Sequence, residues 1–245
     1  MKIKDKINMT IEGLVKNGPI NIVAFGDSVT HGAVEIGKYD YEGVYWNRLR
    51  KKILAKRNVI PVNVIDAGIG GATASDSLER MDTQVFNHAP DLIIVCFGLN
   101  DVNDPLEKFL GALRVIFTRI IEKGVDLIYM TPNMLNTYVA KDAPKEFLDY
   151  AYKTAEMQNG GRMDEYMRAA AELAREMNVP LCDCYSEWKQ LSKTRDTTML
   201  LANRINHPVT EMHELFADRL MKMIFPGDAD CFAATESAMC DCAEK

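Results

Sequence analysis

Five short runs rich in Val, Ile and Leu, each closed by Gly, Asp, Asn or Pro, constrain this chain more than any other feature. They occupy residues 20–25, 61–65, 91–97, 125–130 and 179–182. Strands that are apolar throughout are buried on both faces, as in a parallel sheet covered by helices on either side. The intervening segments supply the helices. Leu106, Phe109, Leu110, Leu113, Ile116, Phe117, Ile120 and Ile121 recur at three and four and mark one helix face. Asp104 as N-cap, Pro105 in the first turn and Glu107 predict its start, and Gly124 its end. Met163, Tyr166, Met167, Ala170, Leu173, Ala174 and Met177 form a second such face, and Met212, Leu215, Phe216, Leu220, Met223 and Ile224 a last one. The alternation predicts a three-layer α/β/α sandwich around a five-stranded parallel sheet, doubly wound in the flavodoxin-like manner. In such sheets ligands bind beyond the carboxyl ends of the strands, which says where chemistry belongs.

At 245 residues, 47% hydrophobic and 26% charged, the chain suits one large α/β unit rather than two domains. Residues 1–19 read as a lead segment, 20–226 as the domain, and 227–245 as an extension holding Cys231, Cys240 and Cys242. The irregular stretch 133–161 follows the fourth strand and reads as a lid or substrate wall. A net charge of −6 argues against nucleic acid, whose phosphates are bound by clustered cations. No apolar stretch approaches a membrane span of ~18 residues, and the first residues build no signal-peptide core. The expectation is a cytoplasmic protein, not inserted in a membrane, with reduced thiols. The sequence leaves its oligomeric state open.

Four polar segments fall at strand ends or a helix start. They are Gly26-Asp27-Ser28, Gly68-Ile69-Gly70-Gly71, Gly98-Leu99-Asn100-Asp101 and Asn206-His207-Pro208. A serine hydroxyl is a weak nucleophile until a base takes its proton, so Ser28 needs an imidazole such as His207 within reach. Ser28 is expected at a strand-to-helix turn, where free N–H groups favour negative charge. Acyl transfer also needs donors aimed at an oxyanion. The backbone N–H groups of Ser28 and Gly71 and the side-chain amide of Asn100 are the candidates. Singly, each element has a plainer reading: a turn serine, a glycine turn without the G-x-G-x-x-G spacing, a loop pair, a helix-start histidine. Their joint occurrence in order is the signal.

Together the four segments resemble the conserved blocks of the SGNH hydrolases, the GDSL esterase/lipase family, over about residues 20–225. Gly26-Asp27-Ser28 matches the first block, with Val29 in place of Leu; Gly71 the second; Gly98-x-Asn100-Asp101 the third; and His207-Pro208 the last. The resemblance implies a catalytic domain over 20–226, a Ser28 nucleophile, a His207 base and an oxyanion hole from Ser28, Gly71 and Asn100. It also implies that neither a metal nor an organic cofactor is required. Asp27 and Asn203 are candidate orienting or substrate-binding residues.

The match fails at one position. The family places an acid three residues before the histidine, and here that residue is Arg204. A cation can neither accept from the imidazole N–H nor stabilise imidazolium. Asn203 through its amide oxygen, a carboxylate from elsewhere, or a backbone carbonyl could orient the ring instead. The expected activity is hydrolysis of a small-molecule ester, a short acyl group on a carbohydrate or small alcohol. The alternatives are a lysophospholipase or thioesterase of the same family, or a non-catalytic ligand-binding protein on this scaffold. Tyr39, Tyr41, Tyr45 and Trp46 follow the nucleophile block as sugar-stacking or core aromatics. His31, three residues after Ser28, reads as a pocket-rim or hydrogen-bonding residue.

Overall fold

The five apolar runs form one all-parallel sheet in the computed structural model, which describes residues 2–227. The strands are β1 (Ile20–Gly26), β2 (Val62–Gly68), β3 (Leu92–Cys96), β4 (Asp126–Met130) and β5 (Leu181–Cys182), in the order β2-β1-β3-β4-β5. This is the doubly wound α/β order expected. Two strands carry apolar side chains that are buried throughout: every residue of β3, and all of β1 but Asn21. The edge strand β2 is partly open. Only two residues of the 179–182 run pair with β4, because Asn178 sits at φ 55 and Pro180 has no N–H to donate.

The helices before and after β1 are α1 (Lys2–Ile7), α2 (Ile11–Asn17) and α3 (Tyr45–Lys56). After β2 comes α4 (Met81–Gln84), after β3 α5 (Leu106–Glu122), and after β4 α6 (Leu148–Asn159) and α7 (Arg162–Glu176). Past β5 the chain forms α8 (Cys184–Leu191) and α9 (His213–Ile224). The winding reverses at β1, so right-handed crossovers send α3 to one face and the helices after β2 to the other. Accordingly α3 packs on α9, and α5 packs on α7. The lead segment packs on the domain: Ile3, Ile7 and Leu14 join the core, and Ile3 N–H donates to Asp126 Oδ2 at 2.8 Å. Lys6 pairs with Asp91 at 2.8 Å, so this segment braces the sheet end opposite the strand termini that matter below.

Two local expectations are corrected. Asp104 does not cap α5; its carboxylate is drawn to Lys108 Nζ at 2.6 Å, and Pro105 takes the cap position. No α-helix follows Ser28 either. A single tight turn, with His31 N–H on the Asp27 carbonyl at 3.0 Å, ends at Gly32 with φ +82, and the next helix begins only at Tyr45. The extension with Cys231, Cys240 and Cys242 lies outside the described residues.

Candidate active site

Strand register brings the candidate residues together. Gly26, Gly68 and Cys96 end β1, β2 and β3 side by side, so the segments carrying Ser28, Gly71 and Asn100 leave the sheet at one level. The turn after β1 folds back over the end of β2. A Cβ on Gly68 would lie 2.8 Å from the Thr30 carbonyl carbon, so this close approach needs glycine. Gly71 needs it too, at φ +77. Arg80 clamps both strand ends by donating to the carbonyls of Gly26 at 2.9 Å and Ala67 at 2.5 Å, with its guanidinium over the Phe25 ring.

His207 arrives from 179 residues away, and its Nε2 lies 2.9 Å from Ser28 Oγ. That contact lets a neutral imidazole take the hydroxyl proton. Ser28, Gly71, Asn100 and His207 all line one cavity of about 310 Å³. Asn100 Nδ2 donates to the Ala72 carbonyl at 3.0 Å, which leaves its second N–H uncommitted.

The ring's far side departs from the usual arrangement. His207 Nδ1 is buried and has no hydrogen-bond partner among the described residues. Burial lowers the imidazole pKa to about 4, and the backbone carbonyl of Val34 acts in the opposite direction. Asn203 does not orient the ring. Its Oδ1 accepts the backbone N–H groups of Ile205, Asn206 and His207 at 3.0, 3.0 and 2.9 Å. Its Nδ2 donates to Asn206 Oδ1 at 2.8 Å, so the amide shapes the loop beneath the histidine. Asn133 donates to the Asn206 carbonyl at 2.8 Å, and the bridge between Leu201 and Pro208 closes the hairpin. Arg204 sits at its tip with φ 60 and turns to Asp142, 3.0 Å away.

A family model for GDSL-like lipases and acylhydrolases matches residues 24–215. The chain belongs to that family. This GDSL enzyme hydrolyses esters, and its sheet is that of its structural neighbours. An acetylxylan esterase of Geobacillus stearothermophilus is 25% identical over 177 residues, 66% of this chain and 72% of the relative. An uncharacterized lipoprotein of Bacillus subtilis is 26% identical over 187 residues, 72% of this chain and 74% of the relative. A solved structure of the Geobacillus esterase superposes with TM-score 0.65 at 21% identity, covering 84% of this chain and 94% of that one. A lipase/acylhydrolase of Enterococcus faecalis gives TM-score 0.62 at 25% identity, over 84% and 95%. Catalytic mutants of the Geobacillus esterase include one at a histidine and one at an aspartate three residues before it. The corresponding spacing in this GDSL chain falls on Arg204.

Asp27 is fully buried in this GDSL enzyme and does not line the cavity. Its Oδ1 accepts the Val29 N–H at 3.0 Å, and its Oδ2 has no partner among the described residues. Burial, reinforced by Asp101, pushes its carboxyl up to about 7. Asp101, whose Oδ1 accepts the Ala74 N–H at 2.8 Å, is pushed up to about 6 by the same cause. Beyond the block motifs themselves, no sequence signal marks these two buried carboxyls. His31 is tied at the rim, with Nδ1 2.7 Å from the Gly68 carbonyl and Nε2 3.2 Å from Tyr41 Oη. Tyr45 is core, Trp46 donates to the Thr30 carbonyl at 2.8 Å, and Tyr39 is exposed on the cavity wall. Ile36, Pro144, Phe147, Tyr150 and Ile205 also line that wall, and no motif marks them individually, since each contributes only a side chain on a loop or near a helix start.

Proposed function

We propose that this protein is a serine esterase that removes a short, acetyl-like acyl group from a carbohydrate or small alcohol. Ser28 is the nucleophile and His207 the base. As Oγ attacks the ester carbonyl carbon, Nε2 takes its proton. The tetrahedral intermediate collapses by breaking the bond to the alcohol oxygen, which leaves with the proton from the imidazolium. Water then attacks the acyl-Ser28 ester by the same proton path and releases the acid. The N–H groups of Ser28 and Gly71 and the uncommitted Asn100 N–H receive the oxyanion. Residues 20–226 form the catalytic unit, and the stretch 133–161 walls the substrate through Pro144, Phe147 and Tyr150.

The observation that carries this reading is the 2.9 Å contact between Ser28 Oγ and His207 Nε2 in an open cavity. The cavity of about 310 Å³ lies at the small end of ligand clefts, which span ~300–1,000 Å³, and so favours a short acyl group. Exposed Tyr39 and the similarity to an acetylxylan esterase favour a sugar alcohol. One observation favours the rival, a non-catalytic ligand-binding protein: Nδ1 has no acid among the described residues to stabilise imidazolium. Both are decided by p-nitrophenyl acetate and a fluorophosphonate. The expected result is turnover by wild type but not Ser28→Ala, and a single phosphonyl adduct on Ser28. Absence of both signals would leave the binding protein.

A further inference from the structure

A second depression of about 460 Å³ opens beside the reactive cavity and shares Glu35, Ile36, Pro144 and Asn203 with its wall. It is otherwise lined by Asp142, Glu146, Ala202 and Arg204. We infer that this depression is a subsite for a neutral sugar residue next to the one carrying the ester, so that the substrate is an acylated oligosaccharide. The inference rests on the esterase reading above and deepens it.

The lining decides which part of an ester can enter. An acyl chain there would displace water from carboxylates and a guanidinium without replacing its hydrogen bonds, at a cost of several kcal/mol. Hydroxyl groups can replace those bonds. With Lys38 paired to Glu35 and Arg204 to Asp142, the remaining charge of the lining is Glu146, which disfavours an anionic ligand such as a phosphate or a uronate. What remains is the neutral, hydroxyl-rich alcohol side of the ester.

The polar groups are already held for that task. Arg204 is fixed by Asp142 Oδ2 on Nε at 3.0 Å and by the Met199 and Leu201 carbonyls on Nη1 at 3.1 and 2.8 Å. Its Nη2 and the Asp142 Oδ1 carry no hydrogen bond among the described residues. A side chain only 20% exposed, with one amino group left over beside a free carboxylate oxygen, presents donors and an acceptor in fixed relation. That is the pattern a pair of neighbouring hydroxyls can satisfy at little ordering cost. Glu146 has no ion pair or hydrogen bond among the described residues, so it adds a second free acceptor. Toward the reactive serine, Tyr39 and Phe147 stand 46% and 40% exposed on the cavity wall and offer flat surfaces for the C–H face of the acylated ring. The residue that replaces the family's acid thus works on the other side of the hairpin, as part of the alcohol-binding wall.

The test compares kcat/KM for an acetylated monosaccharide, the matching acetylated disaccharide and p-nitrophenyl acetate. The wild type is expected to prefer the disaccharide to the monosaccharide about tenfold. Glu146→Ala and Arg204→Ala are expected to cut that preference at least fivefold, mainly through KM. Arg204→Lys, which keeps the charge but not the planar fork, restores little of it. Glu146 is exposed, so its variant tests the subsite even if Arg204→Ala fails to fold. Equal kcat/KM for the two sugars, or a preference that survives Glu146→Ala in a folded protein, overturns the subsite while p-nitrophenyl acetate turnover leaves the esterase intact. Loss of turnover on all three substrates in wild type overturns both.

Discussion

The two sides of the reactive contact are built by different means. The serine side is dictated by the sheet: adjacent strand ends, a turn pressed onto Gly68, and the Arg80 clamp leave the Ser28 turn little freedom. Its polar support is a pair of buried carboxyls, Asp27 and Asp101, whose ionised forms are disfavoured by burial. The histidine side hangs on a hairpin held by neutral amides, with Asn203 and Asn133 gathering backbone groups around His207. Titration of these carboxyls can therefore loosen the first side, whereas on the second only the imidazoles titrate and the amides that hold the hairpin do not. The hairpin keeps the imidazole in place without giving its Nδ1 an acceptor. For Nε2 to accept a proton, the neutral ring must carry its own on that buried Nδ1, which the Val34 carbonyl favours without a full hydrogen bond among the described residues. Position has been kept on this side while charge stabilisation has been given up.

The largest expected effect removes the contact itself. Ser28→Ala or His207→Ala should lower kcat/KM for p-nitrophenyl acetate on the order of 10³-fold or more, with unchanged circular dichroism. A residual rate within tenfold of wild type would place the chemistry elsewhere.

Next in size is the charge response of the serine side. Asp27, raised to about 7, keeps its proton in the folded state where the unfolded chain has lost it, so it takes stability away as pH rises from about 4 to 7. His207 and His213, lowered to about 4 and about 3 by burial, work in the opposite sense, adding stability as pH rises toward 6.5. The two trends offset each other in the wild type. Asp27→Asn removes one of them, so its stability relative to wild type should climb by about 4 kcal/mol between pH 4 and pH 8. Denaturant titrations at the two pH values check this, and parallel curves would show that the carboxyl ionises normally.

A smaller effect is expected on the histidine side. Asn203→Ala strands three backbone N–H groups, which should lower stability by about 1–3 kcal/mol and kcat/KM about tenfold, equally at pH 5 and pH 8. A loss as deep as that of Ser28→Ala would give the amide a direct part in the chemistry.

The difference between the sides also explains what could be read from the sequence. Apolar runs and glycine-punctuated blocks specify strand ends, so the sheet order and the meeting of Ser28, Gly71 and Asn100 follow from local patterns. The helix expected after Ser28 failed because Gly32, at φ +82, stops the turn after one cycle. Asp104 fits the capping motif but does not cap, because its competitor, Lys108, lies one helical turn on and outside that motif. Asn203 is one of three candidates for the imidazole because a sequence shows side-chain types at a spacing, whereas its actual partners are backbone N–H groups of the same hairpin. Arg204 shows the same limit, since its partner Asp142 comes from a loop 62 residues earlier.

The central claim is a serine–histidine pair whose ring has no carboxylate behind it among the described residues, and the pH dependence of kcat/KM for p-nitrophenyl acetate tests it most directly. Only the neutral imidazole accepts the serine proton, so the rate constant should stay level down to about pH 5 and fall tenfold per unit below an inflection at about 4. An inflection at the ordinary imidazole value of about 6.5 or above would show an imidazolium stabilised as a buried ring without a counter-charge is not, and would contradict the account.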